Sequence, residues 1–148
     1  MEEGIIANED REIKRLIKQL EKDDVETKKS AAIGLSHVAF RKIDITEAVP
    51  LLCNALFNNH PFVRIYASEA LCEASGNGDG IAHMVPYLSK AIEDDEPEVR
   101  NNVILALRNA LINEHDISLA IPAVTKVLKD EDEMIRKNAS SLLEKIKD

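Results

Sequence analysis

The chain has 148 residues, of which 45% are hydrophobic and 31% charged, and a formal net charge of −8. That length and apolar content suit one folded domain and exclude a disordered chain. Aromatic residues are only 3%, with no Trp, so the core is aliphatic, and no run of about 18 or more apolar residues marks a membrane span.

Residues 1–7 are acidic and read as an N-terminal tail, without the basic segment and long apolar run of a secretion signal. In residues 8–43, Asn8 precedes a first helix carrying Ile13, Leu16 and Leu20 at helical spacing. The turn Lys22-Asp23-Asp24 follows, then a second helix with Thr27-Lys28 near its start and Leu35 in its stripe. In residues 44–79, Asp44 and Glu47 form a D-x-x-E pattern close to a capping box. Val49, Leu52 and Leu56 line the first helix, with Pro50 early in it, where a missing N–H costs least. The turn Asn58-Asn59-His60-Pro61 leads to a second helix that buries Val63, Ala67, Ala70, Leu71 and Ala74. Gly76-Asn77-Gly78-Asp79-Gly80 follows a helix and lacks the Lys-Ser/Thr of a phosphate loop, so it reads as a turn with left-handed residues. Residues 80–115 repeat the plan with Val85, Leu88 and Ile92, Pro86, the turn Asp94-Asp95-Glu96-Pro97, and Val99, Val103, Ala106, Leu107 and Ala110. Residues 116–148 repeat it again with Ile121, Val124 and Leu128, Pro122, the turn Asp130-Glu131-Asp132, and Ile135-Arg136.

Leu20, Leu56, Ile92 and Leu128 fall 36 positions apart, as do Leu35, Leu71, Leu107 and Leu143. A fixed period of this size marks stacked units, none of which can bury its apolar face alone. The expected architecture is all-α: eight helices in four antiparallel pairs, in a single domain over residues 8–148. Lys14, Arg15, Gln19 and Thr27 stand where the inner units have apolar residues or proline, as suits a unit with water on its outer side. At the other end only Lys147, Ser140 and Ser141 soften the pattern. The C-terminal cap reads as the weaker one, so a monomer is expected with dimerisation left open.

A helix with proline near its start, an Asp-rich turn, then Val-Arg, Ala and Leu at fixed offsets resembles the short HEAT-like repeat, including the version in phycobilisome lyases. Asp94-Asp95-Glu96-Pro97-Glu98-Val99-Arg100 is its fullest statement, and the resemblance covers about residues 8–147. It implies an α-solenoid whose second helices line a concave docking surface. It also favours a structural role for the column Lys28, Arg64, Arg100 and Arg136. These cations would form a ladder with Asp side chains of their own or adjacent turns, Asp95 among them, rather than bind an anionic ligand.

Function is then expected to be non-catalytic: a scaffold or adaptor for a protein or peptide, with no cofactor. Each helical residue turns about 100°, so with Val99 in the core the residues two, five, six and nine positions later point away. These are Asn101, Ile104, Leu105 and Arg108, matched one unit earlier by Ile65, Ser68, Glu69 and Cys72. The expected binding surface is Ile65, Glu69, Asn101, Ile104, Leu105 and Arg108. The resemblance keeps one alternative open, an enzyme or accessory subunit of the phycobilin-lyase type. A second, nucleic-acid binding, is disfavoured by the charge: units of residues 8–43, 44–79, 80–115 and 116–148 carry +2, −4, −3 and −1. None of His37, His60, His83 and His115 is followed by Glu, so the His-Glu pairs of iron-binding helical-repeat relatives are absent and no metal is expected. Cys53 reads as core and Cys72 as a thiol near Glu69 and Glu73, neither in the electropositive setting of a reactive cysteine. Two cysteines make no disulfide framework, and a cytoplasmic location with reduced thiols is expected.

Overall fold

The computed structural model describes residues 2–147, and among them every regular element is helical. The helices are α1 (Glu2–Leu20), α2 (Val25–Phe40), α3 (Val49–Ala55), α4 (Pro61–Gly76), α5 (Ile81–Ala91), α6 (Pro97–Ile112), α7 (Ile121–Lys126) and α8 (Glu133–Lys147). They stack as four pairs. The second helices α2, α4, α6 and α8 form one layer, each packed on the next, and the first helices, short in every unit but the first, form the other. One continuous aliphatic core runs between the layers, with Leu35, Leu52, Leu71, Leu88, Leu107 and Ile135 fully enclosed. The α-solenoid is the architecture observed. The expected tail is corrected: with no proline to stop it, α1 begins at Glu2 and runs straight through Asn8, which caps nothing. No described helix is long and apolar enough to cross a membrane.

The first helices begin in two ways. Asp44 does not close a box with Glu47; its Oδ1 accepts from Thr46 N and Thr46 Oγ1, at 2.8 and 2.5 Å. That bend launches a short 3-10 turn, Thr46–Ala48, which passes into α3 with Pro50 in the first turn, where no intrahelical N–H bond is lost. Asp116 does the same through Ser118 N before α7 and Pro122. The third unit has Gly80 instead, at φ 61°, and α5 starts directly, leaving Pro86 inside the helix. A Cβ on Gly80 would sit 2.9 Å from Val49 Cγ2, so glycine is required there by both conformation and space.

The joints between units share one closure. Lys42, Gly78 and Glu114 all have positive φ, of 67°, 84° and 65°. The residue after each donates back to the preceding second helix: Ile43 N to Val38 O, Asp79 N to Ala74 O, and His115 N to Ala110 O. This satisfies end carbonyls that would otherwise be orphaned. The left-handed residue expected in the glycine-rich segment is therefore a feature of three joints, only one of which uses glycine.

The turns within units also repeat. Asn58, Asp94 and Asp130 each accept, through Oδ1 at 2.9 Å, from the backbone N–H two residues on: His60, Glu96 and Asp132. These side chains close the turn from which each second helix departs.

Candidate interaction surface

The second-helix layer has one face on the core, flanks against its neighbours, and one face open. Ile104 does not lie on the open face. It is 1% exposed, and its column is closed at Ala32 and Ser68 as well, opening only at Ser140 in the last unit. The reason is angular: five residues turn a side chain about 140° from Val99, which aims it sideways at the neighbouring second helix. Asn102 Nδ2 reaching Ser68 Oγ at 3.1 Å marks the same lateral seam. Placing Ile104 on the open face is therefore corrected.

The other predicted residues divide. Ile65 and Leu105 are half-buried at the edge of the open face, and Glu69 is exposed on it. Asn101 is engaged across the seam, its Oδ1 accepting from Asn138 Nδ2 at 2.8 Å. Arg108 is partly buried, with an enclosed Nε that has no hydrogen-bond partner.

Other residues complete this face. Phe62 and Met134 open α4 and α8 and are 51% and 60% exposed; Phe40 and Ile112 close α2 and α6 and are 70% and 61% exposed. Helical rotation puts all four on the same side as Ile65 and Leu105. Lys29 Nζ stands 5.6 Å from the Phe62 ring centroid. A hollow of about 200 Å³ lies between α6 and α8, lined by Pro97, Glu98, Asn101, Asp132, Met134 and Ile135. Sequence reasoning missed the phenylalanines, although a signal was present. An aliphatic core has no need of the chain's three Phe residues, and all three are exposed; Phe57 lies on the other layer beside Tyr87.

The arginine column runs along the edge that carries the intra-unit turns. Arg64 donates through Nη1 to Asn58 O and Asn59 O, and through Nε and Nη2 to the carboxylate of Asp94 in the next unit, at 2.9 and 3.4 Å. Arg100 repeats this with Asp94 O, Asp95 O and the Asp130 carboxylate, at 2.8 and 3.1 Å. The ladder's carboxylates are thus Asp94 and Asp130. Asp95 is corrected: its side chain is exposed and only its carbonyl takes part. The first residue of the turn faces the stack because its side chain also closes the turn, and the second then points outward. Arg136 donates to Asp130 O and meets no carboxylate among the described residues. Lys28 reaches only Leu20 O. Burial tends to raise the Asp130 carboxyl, but hydrogen bonds from Arg100 and Asp132 N, with the charges of Arg100 and Arg136, hold it below the usual carboxylate range. Arg100, 8% exposed, is pushed up chiefly by its hydrogen bond to Asp130.

The remaining chemistry is dispersed. Burial pushes the Cys53 thiol up to about 12. Cys72 is pushed up to about 11, by burial first and then by Glu73 and Glu69 against the opposing charge of Arg108. His60 caps α4 through Phe62 N, and His83 stacks on Tyr87 at 5.5 Å between centroids. Among the described residues no group of three or more His, Cys, Asp or Glu side chains converges as metal ligands would.

A family model described as HEAT repeats matches residues 13–108. No curated protein matches the sequence. Among solved structures, an engineered protein is similar over 90% of this chain and 62% of its own, with 24% identity and a TM-score of 0.76. A designed armadillo repeat protein in complex with the peptide (KR)4 is similar over 88% of this chain and 62% of its own, with 21% identity and a TM-score of 0.75. The chain thus spans less than two thirds of either of these proteins. The complex of CpcE and CpcF of phycocyanin lyase from Nostoc sp. PCC7120 is similar over 97% of this chain and 91% of its own, with 16% identity and a TM-score of 0.67. At these identities the likeness is one of fold.

Proposed function

The chain belongs to the HEAT-repeat family, and on that premise we propose that it is a non-catalytic scaffold or adaptor holding a protein or peptide on the open face of its second helices. The second helices pack on one another more extensively than the first helices do, which supports reading their side of the stack as the concave one. The observation that carries the proposal is the exposure of Phe40, Phe62, Ile112 and Met134 together on that face. Large apolar side chains with charged neighbours such as Lys29, Glu69 and Glu98 are the composition of a protein interface, whose apolar centre has a polar rim. Two proteins of similar fold, the designed armadillo protein with its peptide and the paired CpcE and CpcF chains, hold polypeptides, which supports a partner of that class. The two thiols held well above neutral pH favour the non-catalytic part of the reading.

The test is affinity purification from the native cell with the wild-type chain and with Phe62→Ser/Leu105→Ser, which leaves the buried Ile104 untouched. A polypeptide retained by the wild type and lost by the variant, at unchanged helicity, is the expected result. Equal retention by both, or no polypeptide with either, overturns the proposal. A new visible absorption band on mixing with a tetrapyrrole would favour the lyase-type alternative instead.

A further inference from the structure

We propose that the chain pairs with a second copy of itself through α8, the two helices running antiparallel about a two-fold axis at Ser140. The stripe of α8 involved meets the open face of the second helices only at Lys137, in the column of Ile65. The variants that test the open face lie on α4 and α6, so either proposal can fail without the other. The face of α8 in question is the one on which a fifth unit would stack. Its residues occupy the columns that α6 uses to meet α8: Arg136 stands where Arg100 pairs with Asp130, Lys137 where Asn101 meets Asn138, and Ser140 where Ile104 is enclosed. In the last unit that column opens, and Lys137, Ser140, Glu144 and Lys147 are all exposed.

The order of charges along this stripe selects the occupant. In an antiparallel pair centred on Ser140, Arg136 faces Glu144 of the other copy, each four residues, or about 6 Å, from the axis. Glu133 faces Lys147, each seven residues out, and Lys137 lays its aliphatic stem over the half-buried Leu143. All three relations occur twice by symmetry, as an isologous contact requires. Serine at the crossing lets the helices approach closely. Glu133 already meets Lys137 of its own helix at 3.2 Å, but that pair is about 70% exposed and leaves Glu133 accessible to a second cation. Arg136 is held by Asp130 O at 2.6 Å, which presents the rest of its guanidinium to a carboxylate, as in the two earlier rungs. Stacking head-to-tail would offer it the wrong charge. The first unit carries Lys22 in the column where the third and fourth carry Asp94 and Asp130.

Sedimentation equilibrium of the full chain over a wide concentration range tests the pairing, with circular dichroism as the folding control. Wild type is expected to reach twice the 16.5 kDa of one chain and to stop there. Glu144→Arg sets cation against cation and is expected to return the mass to that of one chain. Glu133→Lys and Lys147→Glu should each weaken pairing, and the double exchange should restore it. Ser140→Cys should cross-link to itself under mild oxidation. A single-chain mass for wild type at every concentration overturns the proposal, as do open-ended oligomers. A dimer that survives Glu144→Arg, or that Ser140→Cys fails to cross-link, overturns this register.

Discussion

The joint between the first two units and the two joints that follow share a turn but are held differently. At the later joints Arg64 grips Asp94 and Arg100 grips Asp130, each across to the next unit at 2.9 and 2.8 Å. At the first joint the corresponding residues are Lys28, which turns back to Leu20 O, and Asn58, which carries no charge. Yet Asn58 still accepts from His60 N as Asp94 and Asp130 accept from Glu96 N and Asp132 N. One position therefore has two separable tasks. An amide suffices to close the turn, and only a carboxylate also ties one unit to the next.

The largest test of that separation is at Asp130. Asp130→Ala removes turn and ion pair together and leaves Arg100 enclosed without its partner, for an expected loss of about 3–5 kcal/mol by urea denaturation. Asp130→Asn keeps the turn, as Asn58 does, and should cost less; equal losses would show that the two tasks are not separable. The pH dependence has a definite sign. Because the Asp130 carboxyl is held below its usual range, its stabilisation is complete above the unfolded value of about 3.9. It is lost as pH falls through the lower folded value. Asp130→Asn should lack that acid-limb dependence, and an unchanged acid limb would assign the loss to other carboxylates.

A second contrast sets an inner unit against the last. Leu107 is fully enclosed and Leu128, on the end unit, is 37% exposed. Leu107→Ala should cost about 2–5 kcal/mol, whereas at Leu128 the same change should cost well under half of that. Matching midpoint shifts would mean that something covers the C-terminal end in solution, and would sharpen the case for pairing through α8. The smallest effect is a gain: Lys28→Arg with Asn58→Asp copies the later rungs into the first joint, for about 0.5–1 kcal/mol in a part-exposed setting. No gain in thermal midpoint would show that the first joint differs in backbone geometry and not only in side chains.

Much of the scaffold was legible because its determinants are local. Apolar spacing of Leu16 and Leu20, or Leu52 and Leu56, identifies a helix and its buried side whatever the neighbours do. The acidic turns and Pro61 and Pro97 mark where the second helices start, since a capping carboxylate and a missing N–H act within one turn of chain. The interaction surface was less legible. Ile65 and Leu105 could be placed by counting degrees around one helix, but Ile104 could not, because its burial depends on a helix from another unit. Asp94 and Asp95 are adjacent carboxylates, and nothing in their order tells which one faces the stack.

By itself, then, the sequence determined that this chain builds paired helices with an aliphatic core and an arginine column along the turns. Each of those follows from interactions between residues close in the chain. The tertiary structure alone decided which sides of the second helices stay open, that the phenylalanines remain outside, and that Asp94 and Asp130 complete the ladder. Those outcomes depend on contacts some 30 or more residues apart, and burial there is set by the neighbour's position, which no single helix encodes.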